Sequence, residues 1–139
     1  MNPIRSVSIL SVLTVLSFFS TAYAEPKSLA QATTAAWLKR LDAGDYAGTW
    51  ESAGSLFKAA VTLQVWQQQL QSTRDPLGAV QGREEIASTY TKTLPGVPDG
   101  AYVVMQYKTV FENKAEAVET LTATLEKDGN WRVVGYFVK

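Results

Sequence analysis

Apolar positions change their spacing along this 139-residue chain. They crowd together from Val7 to Phe19, with serines and threonines interspersed. They then recur every three to four residues as far as Leu70, and alternate with polar positions in the last third. A short apolar block, a period near 3.6 and a period of two predict a leader, then helices, then strands. In the helical part, Ser28 is placed to cap the first helix, with Gln31 completing a capping box. Ala36, Trp37 and Leu41 form its stripe, and Gly44 ends it. Asp45 caps a second, short helix carrying Tyr46 and Trp50. "GSLF" (54–57) reads as a break. A third helix runs from about Thr62 to Ser72, with Leu63, Trp66 and Leu70 on one side.

The strand part begins within "LGAVQGREEIASTYTKTL" (77–94). "PGVPDG" (95–100) is turn chemistry. "AYVVMQYKTVFE" (101–112) is a β-branched and aromatic run, and "NK" (113–114) a tight connection. "AEAVETLTATLEK" (115–127) alternates strictly. "DGN" (128–130) is a hairpin turn into "WRVVGYFV" (131–138). Helices followed by consecutive short-turned strands predict an α+β fold, with the helices packed on a bent four-stranded antiparallel sheet. Period-two parity assigns Leu121, Ala123 and Leu125 to the helix side, and Thr120, Thr122 and Thr124 to the other. It assigns Val103, Met105, Tyr107 and Phe111 to one face of the second strand, and Trp131, Val133, Gly135 and Phe137 to one face of the last. It also puts Glu119 inside with Leu121, where a carboxylate is costly unless paired or protonated.

Composition narrows the chemistry. The apolar block of 13 residues is shorter than the about 20 that span a bilayer. Arg5 precedes it, and Ala22 and Ala24 flank Tyr23 as a signal peptidase site. The expectation is a signal peptide over 1–24, cleavage near Ala24, and a single mature domain over 25–139, periplasmic or secreted and without stable membrane insertion. Arg5 is the one charged residue before Glu25, so 12 basic face 13 acidic residues in the mature part. Such balance argues against nucleic acid as a partner. Neither histidine nor cysteine occurs. That excludes Ser-His-Asp and Cys-His catalysis within the chain and disfavours transition-metal sites. No nucleotide, flavin or other cofactor motif is visible.

"STRDPLGAVQGREE" (72–85) contains two arginines and two glycines, but it lacks the spacing of a phosphate-binding loop. Pro76 ends the third helix there, Gly78 and Gly82 turn the chain into the sheet, and Arg74 belongs to a solvated helix end. Trp37, Trp50, Trp66 and Trp131 read as core. Arg83 is placed either to pair with Glu119 or to grip a ligand carboxylate.

Several motifs in order resemble a known family. They are Trp37–Leu38, "GDY…W" from Gly44 to Trp50, and Arg74, Leu77, Gly78, Val80 and Arg83. They continue with "LPG.PDG.YVV" from Leu94 to Val104, then Phe111, Lys114, Glu119 and Thr120, and "DG.WRV.GY" from Asp128 to Tyr136. Together they are similar to bacterial exported proteins grouped as domain of unknown function 4019, and to the nuclear-transport-factor-2-like cone fold. The resemblance implies a fold and no activity, because that fold serves enzymes, binders and assembly modules alike. In cone-fold enzymes a pocket carboxylate often moves a proton, which makes Glu119 the catalytic candidate.

Three readings follow. The favoured one is a non-catalytic exported domain that binds a small apolar or carboxylate-bearing ligand, or a protein. Arg83, Glu119, Tyr102 and Tyr107 are its candidate polar contacts, with Tyr46, Tyr90 and Tyr136 as further tyrosines able to line a pocket. The second is a cofactor-free isomerase or lyase using Glu119. The third is a homodimer through the sheet face carrying Thr120, Thr122, Thr124, Arg132, Val134 and Tyr136.

Overall fold

The computed structural model describes residues 25–139; the expected signal peptide lies outside them. Four helices are followed by four strands: α1 (Pro26–Asp42), α2 (Tyr46–Glu51), α3 (Ser55–Ala60), α4 (Leu63–Thr73), β1 (Val80–Thr91), β2 (Tyr102–Phe111), β3 (Lys114–Leu125) and β4 (Trp131–Val138). The strands form an antiparallel sheet in the order β1-β2-β3-β4. Helix α1 lies along the inner face of the sheet and meets all four strands, α3 abuts β4, and α4 stacks on α2. The core comprises Trp37, Leu38 and Leu41 of α1, Trp66 and Leu70 of α4, and Val103, Met105, Leu121, Ala123 and Val133 of the sheet. This is the expected α+β arrangement.

Local chemistry sets the helix ends. Pro26 starts α1 ahead of the expected Ser28 cap, because its fixed φ is ready-made for the first turn. Asp45 caps α2 as expected, accepting from the Gly48 amide at 3.0 Å. A side chain at Gly48 would collide with that carboxylate, since a Cβ there meets Asp45 Oδ2 at 2.1 Å. Thr62 caps α4 through the Val65 amide. The segment read as a break is helix α3. Its start is held by a distant partner, because Ser55 donates from its amide (2.6 Å) and its hydroxyl (3.1 Å) to Glu126 Oε1. The Gly54 amide also bonds the Val133 carbonyl at 2.8 Å and closes the β4 edge.

The strand faces follow parity until each partner strand shifts register. Between Thr122–Gly135 and Ala123–Val133 the β3–β4 ladder skips Val134. That bulge inverts the rest of β4. Tyr136, expected outside, turns inward. Phe137, expected inside, is 60 % exposed. At the other end, Leu125 is exposed and Thr124 buried, opposite to expectation. The Ala101 carbonyl there accepts both the Leu125 amide and the Thr124 hydroxyl, which draws Thr124 in.

Candidate functional site

Glu119 is fully buried on the inner face of β3. Cross-strand pairing puts it beside Tyr107, and the β1–β2 register brings Arg83 opposite Thr109, one step along. Three donors reach its carboxylate. Arg83 Nε (2.8 Å) and the Thr109 hydroxyl (2.6 Å) bond Oε1, and the Tyr136 hydroxyl (2.6 Å) bonds Oε2. The Val134 bulge is what brings Tyr136 to Oε2. The guanidinium of Arg83 then turns its other edge to Asp42 at the end of α1, in a two-pronged contact of 2.7 and 3.0 Å.

Asp42 also receives Arg74 at 3.2 Å. Arg74 is not the solvated residue expected at a helix end: it is 5 % exposed. A 3-10 turn over Asp75–Leu77 and Gly78, at φ +76°, fold the chain back over it. Arg74 Nη1 donates to the Gly78 carbonyl at 2.7 Å, and the guanidinium stacks on Phe111 at 4.4 Å. The result is an alternating chain, Glu119–Arg83–Asp42–Arg74, two negative and two positive charges that tie α1, the end of α4, β1 and β3 together. Burial works against the charge of Arg83, but Asp42 and Glu119 outweigh it and hold the guanidinium pKa above its ordinary value. Burial likewise raises Asp42, and the two arginines reverse this and leave its pKa lowered.

The tyrosines divide between this cluster and other places. Burial and the Glu119 carboxylate push the Tyr136 hydroxyl well above the ordinary tyrosine value. Burial and the neighbouring Glu85 raise Tyr107 to about 12. Glu85 itself accepts from Gln31 at 2.7 Å. Tyr46 donates to Asp75, and burial with that carboxylate raises it to about 12. Tyr102 lies apart from Glu119: it is buried, and its hydroxyl donates to the Pro98 carbonyl at 2.5 Å. Tyr90 is 39 % exposed on β1. Of the four residues singled out for a ligand, the structure therefore gathers Arg83, Glu119 and Tyr107 and leaves Tyr102 elsewhere. Tyr136, Thr109, Asp42 and Arg74 complete the cluster.

The space above Glu119 is occupied by aromatic rings. Tyr136 packs on Trp37 (centroids 5.5 Å) and Trp66 (6.4 Å), and Phe57 meets Trp66 edge-on at 4.8 Å. Thr49 accepts both indole N–H groups, Trp37 at its carbonyl and Trp66 at its hydroxyl, each at 2.9 Å. Cavities lie instead at the surface. One of about 550 Å³ runs between the α3 start, Pro98 and the β3–β4 turn, and one of about 320 Å³ lies beside Arg74 and Asp75. No cluster of His, Cys, Asp and Glu among the described residues could hold a metal ion.

The outer face of the sheet carries a different chemistry. Its central rows are Ala87–Gln106–Thr120–Phe137 and Thr89–Val104–Thr122–Gly135. None of these eight residues is charged. Phe137 and, at the β1 bulge, Ile86 are 60 % and 53 % exposed. Among the described residues no helix covers these rows.

A family model described as "Protein of unknown function (DUF4019)" matches residues 33–136. No curated protein matches the chain.

Proposed function

The chain belongs to the DUF4019 family, and from that premise we propose that it is an exported, non-catalytic domain that binds a protein partner through the outer face of its sheet. The observation that carries the reading is the complete burial of Glu119. Three donors of the chain itself take up its two oxygens, and packed aromatic rings fill the space above it. A general base needs a free lone pair within reach of a substrate proton. Oε2 keeps one lone pair, but Glu119 is fully buried and lines none of the surface cavities, so no substrate proton comes within reach of it. The surface cavity of about 320 Å³ reaches only the far end of the cluster, at Asp42 and Arg74, and not Glu119. The uncharged outer rows, with Ile86 and Phe137 exposed, support a docking surface instead. Export is supported by the apolar block Val7–Phe19 followed by Ala22-x-Ala24.

One experiment tests both halves, because the chain has no cysteine of its own. Gln106→Cys reports on the outer face and Gln64→Cys on an exposed turn of α4. Intact cells are treated with a maleimide that does not cross the cytoplasmic membrane. The expected result is rapid labelling at position 64, slow labelling at 106, and rapid labelling of both in dilute purified protein. Failure to label position 64 in cells sinks export. Equal labelling of the two positions in cells sinks the docking face.

A further inference from the structure

We infer that the partner on this face is a second copy of the chain, stacked about a two-fold axis that runs between β2 and β3, parallel to the strands. The inference rests on the docking-face reading above and adds the identity and geometry of the occupant.

The argument starts from where the two exposed apolar side chains lie. Ile86 sits at the β1 bulge, between Glu85 (opposite Tyr107) and Ala87 (opposite Gln106). With Lys108, Glu116, Val118 and Lys139 it lines a shallow cavity of about 380 Å³ on the outer face. Phe137 is opposite Thr120, which is opposite Gln106. Ile86 therefore lies on β1 next to Ala87, which ends the row that Phe137 ends on β4, and on the side of the Lys108 row. A rotation about an axis parallel to the strands preserves position along them and exchanges β1 with β4 and β2 with β3. It lays Ile86 of each copy beside Phe137 of the other, so a single operation covers both exposed side chains twice.

The charges fit the same operation. The next row is Glu84–Lys108–Val118–Lys139, from the pairing of Glu84 with Lys108, Lys108 with Val118, and Val118 with Lys139. Among the described residues none of Glu84, Lys108 and Lys139 forms an ion pair. The rotation brings Glu84 over Lys139 of the other copy, and Lys108 over Val118. The uncharged rows fall on each other, Gln106 over Thr120 and Val104 over Thr122. No like charges meet. A two-fold running across the strands would instead stack Phe137 on Phe137 and leave both ends of the charged row without an opposite charge. Three rows on four strands make a patch roughly 20 Å on each side. That is a small interface, so the dimer is weak and concentration-dependent.

Cross-linking reads the axis directly. Facing sheets stand about 10 Å apart, too far for a disulfide, so a short bismaleimide is the probe. Purified Ile86→Cys protein mixed with Phe137→Cys protein is expected to give a mixed cross-linked dimer at high micromolar concentration. Either variant alone is expected to give little. Charge reversal is the second arm. Glu84→Lys should weaken the dimer about fivefold in sedimentation equilibrium, and Glu84→Lys with Lys139→Glu should restore it. Same-residue cross-links, or no rescue by the double reversal, overturn the geometry. A chain that stays monomeric at high micromolar concentration overturns self-association. If position 106 is still protected in cells, the docking face then stands with a different partner.

Discussion

Glu119 shows how a buried carboxyl group is satisfied by neighbours from other strands. Its donors come from β1, β2 and β4, and each supplies one bond. Removing the carboxylate strands Arg83 with half its partners and leaves the Tyr136 hydroxyl without an acceptor. Glu119→Ala is expected to cost roughly 3–5 kcal/mol, the usual penalty for breaking a buried pair from one side. Glu119→Gln keeps an acceptor for Tyr136 and should cost less. Urea unfolding of the two variants checks this. A loss below about 1 kcal/mol for the alanine variant would show that the cluster does not hold the fold together. At this scale the sequence was partly legible. Strand parity places Glu119 inside, and of the two roles open to Arg83 the structure shows the pairing with Glu119. Parity could not find Tyr136, because a one-residue bulge reverses the count. Nor could the habit of cations at helix ends reveal that Arg74 is buried under the turn that follows it.

Elements here are often completed by residues far away in the chain. Helix α3 has six residues and no side-chain cap from its own neighbours; Glu126, 71 positions on, bonds its first amide. Glu126→Ala should cost about 1 kcal/mol, in the range of a lost helix cap. It should raise amide exchange over Ser55–Ala60 and leave α1 and α4 unchanged. Uniform exchange across all four helices would contradict the local role. This long reach is also why "GSLF" reads as a break: the cap position is Gly54, which has no side chain to bond the first turn, and the acid that compensates is on another element. By contrast, α2 was legible from its adjacent cap Asp45, and α4 from the stripe of Leu63, Trp66 and Leu70. The sheet order followed from turn chemistry alone, since short connections leave consecutive strands no choice but to be neighbours.

The whole molecule combines acid groups held below their usual range with hydroxyls held above it, and its stability should fall at both ends of the pH scale. Asp42 has a lowered folded pKa. Its contribution is complete above the unfolded value near 3.8 and is lost as pH falls through the lower folded value. Tyr46 and Tyr107 are raised to about 12, and Tyr136 is raised further. Their contribution is complete below the unfolded value near 10 and is lost as pH rises past it. The urea midpoint should therefore be level from about pH 5 to 9 and decline on either side. Asp42→Asn should narrow its gap to the parent protein in acid. Tyrosinate absorbance of the native protein should lag behind that of the unfolded chain. A native titration centred on the unfolded value would contradict the burial of these hydroxyls.

The position of Tyr136 also sets a clock. A growing chain exposes α1 first, yet Asp42 at its end waits for Arg83, which is tied to Glu119, which waits for a tyrosine three residues before Lys139. The keystone is delivered after every element it locks, because β4 follows all of them in the chain. Until it arrives, Glu119 lacks one of its three donors and the seam beneath α1 is incomplete. That delay suits any route requiring the polypeptide to be threaded before it folds.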